Sequence, residues 1–304
     1  MKHLSFVQPG HTPDAAEGLD CLVLDGRSEA DSDWIKAQSS LEEVVKDHVR
    51  TAPTRSGRAQ VGSSIILSLV RTDVANNNVL VGVNVLIEAN RLTAVCYDSR
   101  PLVEDALARY AEHGGHGGVS RLLAIIVAAL VRPLEAQVAR LSDTIDDLDE
   151  KAMFEGDDSL GDSVVQVARR VLALRRYLVP MRDELSFLAL NPEELPGVIE
   201  PRDLRRAAEY PDRLISALDS SHQRVTLILD QLAKRSDARL ARAMHKLTIV
   251  GTVFLPLSFV TGLLGINVAG IPDSHNPVGF WLVCAFLLVV AIGAIALIRW
   301  RKWV

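Results

Sequence analysis

The chain has 304 residues, 33 Lys and Arg against 38 Asp and Glu, and a formal net charge of −5. An acidic balance without a concentrated basic surface excludes nucleic acid as a partner. The three cysteines, Cys21, Cys96 and Cys284, stand alone with no CxxC spacing, so they make neither a disulfide framework nor a thiolate metal site.

The opening MKHLSFVQPGHTPDAAEG lacks the apolar core of a signal peptide, so the long N-terminal part is expected in the cytosol. An excess of carboxylates there suits the handling of cations. Residues 1–100 read as an α/β sheet domain. Cys21–Leu24, Ser64–Val70, Val79–Ile87 and Leu92–Tyr97 are short Val/Ile/Leu-rich runs bounded by Gly, Asn and Asp, which predict strands. Glu88 to Arg91 reads as a hairpin turn. Asp31 or Ser32 is placed to cap a helix running through Trp34, Ile35, Leu41 and Val45.

Residues 101–210 read as helical. Arg100-Pro101 opens one piece, and His113-Gly-Gly-His116-Gly-Gly breaks it; no carboxylate or cysteine completes a ligand shell for the two histidines, so the segment reads as a loop. Val119 to about Phe154 has helical apolar spacing. Its acidic end places Asp143, Asp147 and Glu150 on one face, opposite Leu141, Ile145 and Leu148. That face reads as solvated, with a weak divalent-ion site as the alternative. A second long helix, Asp162 to about Leu190, carries Arg169, Arg170, Arg175 and Arg176, and the two look like an antiparallel pair, one acidic and one basic.

From about Pro211 the pattern runs without Pro or Gly to Gly251 and continues to Leu264, predicting a stalk helix over 211–246 that passes into a first span, 247–267. Leu247–Leu264 and Phe280–Ile298 carry no charge, and helices of that length reach roughly 27 to 29 Å, close to the hydrocarbon thickness of a bilayer. Between them lies a polar outer loop, 268–279; after the second span, 280–298, comes a basic tail, 299–304. Arg235, Arg239, Arg242 and Lys246 precede the pair, Arg299, Arg301 and Lys302 follow it, and the insert has neither Lys nor Arg, so both termini are expected on the cytoplasmic side. Trp300 and Trp303 suit the headgroup boundary.

Asp230, Asp237, Met244, Gly251 and Ser258 recur every seven residues, with Leu240, Leu247 and Thr261 at d-like positions and Leu255 beside the seam. Two readings stay open. In one, several copies surround an axial path in which aspartate rings concentrate cations and Met244, Leu247 and Leu255 form hydrophobic constrictions. In the other, small residues simply allow helices to pack closely.

The stretch Phe254 to Asn267, FLPLSFVTGLLGIN, followed by a short loop, a second span and a terminal Arg-Lys-Trp-Val, resembles the CorA family of divalent cation transporters. The family signature is Gly-Met-Asn; here it is Gly265-Ile266-Asn267, and the continuation Val268-Ala-Gly-Ile-Pro272 is similar to the zinc-associated ZntB branch. The resemblance implies a funnel-shaped homopentamer with an α+β cytoplasmic domain layered α/β/α, a long stalk helix, a pore-lining first span and a lipid-facing second span. It implies an inner (plasma) membrane location, a transported rather than resident metal, zinc foremost with cadmium, nickel or cobalt as related cargo, and Asn267 at the outer mouth.

Where magnesium-type relatives carry a glutamate after proline, this chain has Asp273, either an attracting ring or a turn residue. A magnesium or cobalt channel is the alternative cargo. A membrane-tethered sensor, scaffold or enzyme is the alternative of another class, and no GxxxxGK[ST], HExxH or GxSxG supports the enzyme.

Overall fold

The computed structural model describes residues 2–6, 19–62, 64–73, 79–89, 91–112, 118–154, 160–197, 199–265 and 277–300. They fall into two compact units, residues 1–229 and 230–304.

The first unit is built on a six-stranded sheet in the order β1-β2-β6-β5-β4-β3, with β1 Lys2–Phe6, β2 Leu19–Asp25, β3 Gly57–Val61, β4 Ser64–Asp73, β5 Val79–Glu88 and β6 Arg91–Tyr97. Only β2 and β6 run parallel; every other pair is antiparallel. The four strands expected from the sequence are all present, and β5 returns into β6 with Glu88 opposite Arg91, as a hairpin requires. The central strands are buried on both faces, which is why they read as continuous apolar runs rather than alternating ones. One face packs Leu24, Ile66, Leu86 and Val95 against Ile35, Val45 and Val49 of two helices, α1 Glu29–Lys36 and α2 Glu43–Arg50. The other face meets α3 Arg100–Glu112, α4 Val119–Phe154 and α5 Leu160–Leu190. The result is the α/β/α layering of an α+β domain.

The single helix expected after Asp31 is instead two. Ser28 is the N-cap of α1, its hydroxyl accepting from the Asp31 amide at 3.3 Å, and the chain turns between Ala37 and Glu42. Asp31 is buried within α1, where its carboxylate accepts from the Asp25 amide at 2.8 Å. The end of α2 is held from the sheet. Asn84, only 1% exposed, donates to the carbonyls of His48, Val49 and Thr51 at 3.2, 3.2 and 2.9 Å and accepts from Ser68 at 2.7 Å. It thus satisfies helix-end carbonyls that have no partner of their own.

The helix α6 spans Pro201–Leu264 without interruption, starting ten residues before the expected Pro211. Pro201 sits at its first turn, where a missing N–H costs nothing, whereas Pro211 is buried inside the helix. In the first unit α6 buries Leu204, Ala207, Leu214, Leu218, Ser221, Val225 and Ile228, an i+3/i+4 stripe. Ion pairs fix this part of it: Arg121–Asp203 at 2.9 Å and Arg175–Asp219 at 2.7 Å, together with Arg224–Asp146. α4 and α5 pack on one another as the expected pair; among the described residues the acidic end of α4 forms its ion pair through Asp146 with Arg224 of α6, and Arg175 of α5 also turns to α6.

The second unit contains the remainder of α6 and α7 Pro277–Trp300. The apolar half of α4 is also long enough to cross a bilayer, but more than half of it is buried in the first unit, making it a core helix.

Candidate ion pathway

After Ile228 the burial stripe of α6 stops. In the apolar segment ending at Leu263 no residue is buried, and Leu240, Met244, Leu247 and Leu255 are all exposed, Leu255 at 75%. In α7, Phe280, Trp281, Leu282, Leu288 and Val289 are exposed as well. So much contiguous apolar surface is what a lipid-facing or partner-facing helix presents, not one left in water.

Around the axis of α6, at about 100° per residue, Asp230, Asp237, Met244, Leu247, Gly251, Leu255, Ser258, Gly262 and Gly265 fall within an arc of roughly 100°. The basic residues Arg235, Arg239, Arg242 and Lys246 lie roughly 140 to 180° from Met244, on the opposite side. Asp230 and Asp237 are exposed and form no ion pair among the described residues, despite those neighbouring cations. A Cβ added at Gly251 or Gly262 would meet nothing within 4 Å, so the protomer itself gives no packing reason for glycine at either position.

Thr248 falls in the same arc and was not singled out from the sequence. Its hydroxyl donates to the Met244 carbonyl at 2.9 Å, as Thr252 does to Thr248 at 2.8 Å and Thr261 to Leu257 at 3.0 Å. Back-bonded hydroxyls tolerate an apolar medium while keeping lone pairs free to accept from water. Pro256 has no N–H, so the Thr252 carbonyl lacks its helical donor. The signal for these groups was present in the sequence as Thr at spacings of four and Pro four residues after Thr252.

The helix closes at Gly265, whose N–H donates to the carbonyls of Thr261 at 3.0 Å and Gly262 at 3.2 Å. Ile266, Asn267 and Asp273, and also His113 and His116, lie outside the described residues. On α4, Asp143, Asp147 and Glu150 are exposed opposite buried Leu141, Ile145 and Leu148. Among the described residues no three His, Cys, Asp or Glu side chains gather as a metal site.

An α+β unit, an α6 whose apolar segment is uncovered and long enough to cross a bilayer, and a further apolar helix in α7 are what a membrane protein presents. The family model described as CorA-like Mg2+ transporter protein matches residues 17–300. The chain belongs to that family, and is a CorA-family divalent cation transporter. The zinc transport protein ZntB of Pectobacterium atrosepticum is 28% identical over 298 residues, covering 93% of this chain and 87% of that one. The divalent cation transporter CmaX of Pseudomonas aeruginosa is 29% identical over 281 residues, covering 89% and 81%; the full-length CmaX structure matches with a TM-score of 0.71 at 26% identity over 97% of this chain and 91% of that one. The complete CorA magnesium transporter of Methanocaldococcus jannaschii matches with a TM-score of 0.75 over 100% and 99%, and at 16% identity it speaks to the fold alone.

Proposed function

We propose that five copies of this chain surround a central path in the inner (plasma) membrane and pass hydrated divalent cations, zinc foremost, with both termini in the cytoplasm. The observation that carries the reading is the arc on α6: unpaired acids, then exposed Met244 and Leu247, then Gly251, Leu255 and Ser258, with the protomer covering none of them. Repeated around an axis, Asp230 and Asp237 become two carboxylate rings that raise the local cation concentration. Met244, Leu247 and Leu255 become hydrophobic constrictions that conduct only when wetted, and Gly251 and Ser258 keep the path narrow yet hydrated.

In this scheme residues 211–246 are the stalk, 247–267 the lining span, 268–279 the outer loop, 280–298 the lipid-facing span and 299–304 the basic tail, while 1–100 and 101–210 form the cytoplasmic body. Asn267 stands at the outer mouth, flanked by Gly265 and Ile266, where its carboxamide oxygen hydrogen-bonds water held by the arriving ion. Asp273 adds negative charge there. No resident cofactor is invoked, and no macromolecular partner other than further copies and lipid.

Zinc as cargo is supported by the ZntB relative and the Gly-Ile-Asn motif. Magnesium is favoured by a different observation: the arc on α6 contains no Cys or His, the side chains that hold zinc most often, and its one soft group, the Met244 thioether, makes no zinc site by itself. Purified protein in sealed vesicles, with zinc, magnesium, nickel and cobalt compared under imposed pH gradients, decides between them. Zinc-selective flux supports the first reading; magnesium flux at equal or higher rate supports the second; no flux of any of the four, with intact assembly, refutes both.

A further inference from the structure

Away from the acidic and apolar arc of α6, the first unit carries a groove of about 490 Å3 between α3, α4 and the start of α6. Four guanidinium groups line it: Arg109 from α3, Arg121 and Arg132 from α4, and Arg206 from α6. Tyr110 and Tyr210 stand among them, and the floor is made of alanines, of which Ala124 and Ala128 are buried. Small side chains on α4 create the concavity, and arginines on its margin give it one sign of charge. The volume is within the roughly 300 to 1,000 Å3 of small-molecule sites.

Two of the arginines are engaged. Arg109 pairs with Asp105, and Arg121 donates to Asp203 at 2.9 Å with its Cζ 5.7 Å from the Tyr110 ring. The side-chain hydrogen bonds to Asp203 and Tyr110 raise the Arg121 pKa, so its charge is permanent. Arg132 and Arg206, from different helices, form no ion pair among the described residues. Their charges converge on a concave surface whose one lining carboxylate, Asp105, is already taken. The groove also offers an acceptor. Pro133, in its lining, has no N–H, so the carbonyl of Ala129, also in the lining, loses its helical donor. Planar guanidiniums in pairs suit phosphate oxygens, and tyrosine faces suit a flat ring.

We propose that this groove binds a phosphorylated small molecule of nucleotide size, its phosphates held by Arg132 and Arg206, its ring against Tyr210, since Arg121 already lies over Tyr110, and a ring or sugar donor on the Ala129 carbonyl. The site is separate from the ion pathway, and its occupancy can be read without measuring transport.

The test is calorimetric titration of the full-length, detergent-solubilised protein in metal-free buffer at physiological salt, with ADP, pyrophosphate, inorganic phosphate and sulfate as probes. ADP and pyrophosphate are expected to saturate one site per chain, ADP the tighter of the two. Arg132→Ala with Arg206→Ala, both exposed positions that carry no packing, should weaken both at least tenfold, while the Lys substitutions retain part of the affinity. Arg169→Ala with Arg170→Ala, on an exposed stretch of α5, should leave binding unchanged. Tyr210→Leu should weaken ADP and spare pyrophosphate. The proposal is overturned if no probe saturates, if the Arg132/Arg206 variant binds as wild type does, or if sulfate matches ADP, which would make the groove host to an adventitious ion only.

Discussion

Replacing Asp230 and Asp237 together by asparagine tests the transport reading where the structure is most explicit. Both carboxylates are exposed, unpaired among the described residues, and on one face of α6. Seven residues of helix separate them by about 10 Å, close to the roughly 8 Å Debye length at physiological ionic strength, so in the proposed pentamer the two rings act as successive steps rather than one. With five carboxylates at about 8 Å from a divalent ion in water, each ring contributes roughly 5 kcal/mol before screening and about 2 kcal/mol after one Debye length of attenuation. That is an enrichment of about 25-fold per ring. Zinc flux into sealed vesicles, at a concentration well below saturation, should therefore fall at least tenfold in the double variant. Wild-type flux should drop towards the same value when salt is raised to about 1 M, where the Debye length is only about 3 Å, while the variant's flux should hardly respond. Native mass spectrometry should still give the pentamer. Wild-type flux with unchanged salt dependence in the variant would place both aspartates on a solvent face away from the ions.

Three further outcomes follow from other parts of the molecule. A Cβ at Gly251 meets nothing within 4 Å in the protomer, so Gly251→Val should fold and assemble normally while flux falls at least tenfold; unchanged flux would put Gly251 against lipid, and loss of the proposed pentamer would make it a packing residue. Asn267→Gly keeps a residue that tolerates any backbone asparagine adopts but removes the carboxamide, and should assemble normally with most zinc transport lost; wild-type transport would mean that the carboxamide plays no part. Burial pushes the thiols of Cys21 and Cys96 and the Tyr97 phenol up to about 12, from ordinary values of 9.0, 9.0 and 10.0. These raised values mean that the unfolded chain ionises first, so their stabilisation is complete below about pH 9 and drains away as pH rises towards 12, by about 1.4 kcal/mol per thiol per pH unit. The thermal midpoint should fall steeply between pH 9 and 11, and less steeply in Cys21→Ala with Cys96→Ala; equal slopes would remove the thiols as the cause.

The legible parts of this chain were those whose physics is local or periodic. The four core strands announce themselves because both of their faces are buried, and the start of α4 at Val119 is legible from its apolar spacing and the glycines before it. The edge strand β3, GRAQV, escaped because a half-exposed strand with Arg and Gln has no apolar signature, and β1 because KHLSF is recognisable only by its antiparallel partner β2. Trp34 to Val45 looked like one helix because the sequence period continues across a turn that tertiary packing imposes. The α6 arc was readable since all of it lies on one helix. Its unpaired state and the arginine groove were not, because pairing depends on what other helices bring near, and the groove joins residues nearly a hundred positions apart, from Arg109 to Arg206.

The apolar half of α4 has a consequence for how the protein is made. Leaving the ribosome ahead of α6, it presents the insertion machinery with a segment as greasy as a true span, and only folding hides it: Leu122, Leu123, Ile126, Val127, Leu130, Val131 and Leu134 are all 0% exposed in the finished body. Synthesis is therefore a race between two fates for one segment, closure against the sheet or capture by the bilayer, and on the proposed two-span topology capture would put an odd number of crossings in the chain and invert everything after it. A charged residue at Leu130 would bar capture while wrecking the core. A core-opening change such as Leu107→Ala, in α3 that packs on α4, should instead raise the fraction of chains whose basic tail is accessible from outside the cell. Topology reporters fused after Val304 would read that fraction, and no increase would show that α4 is sequestered before the membrane can sample it.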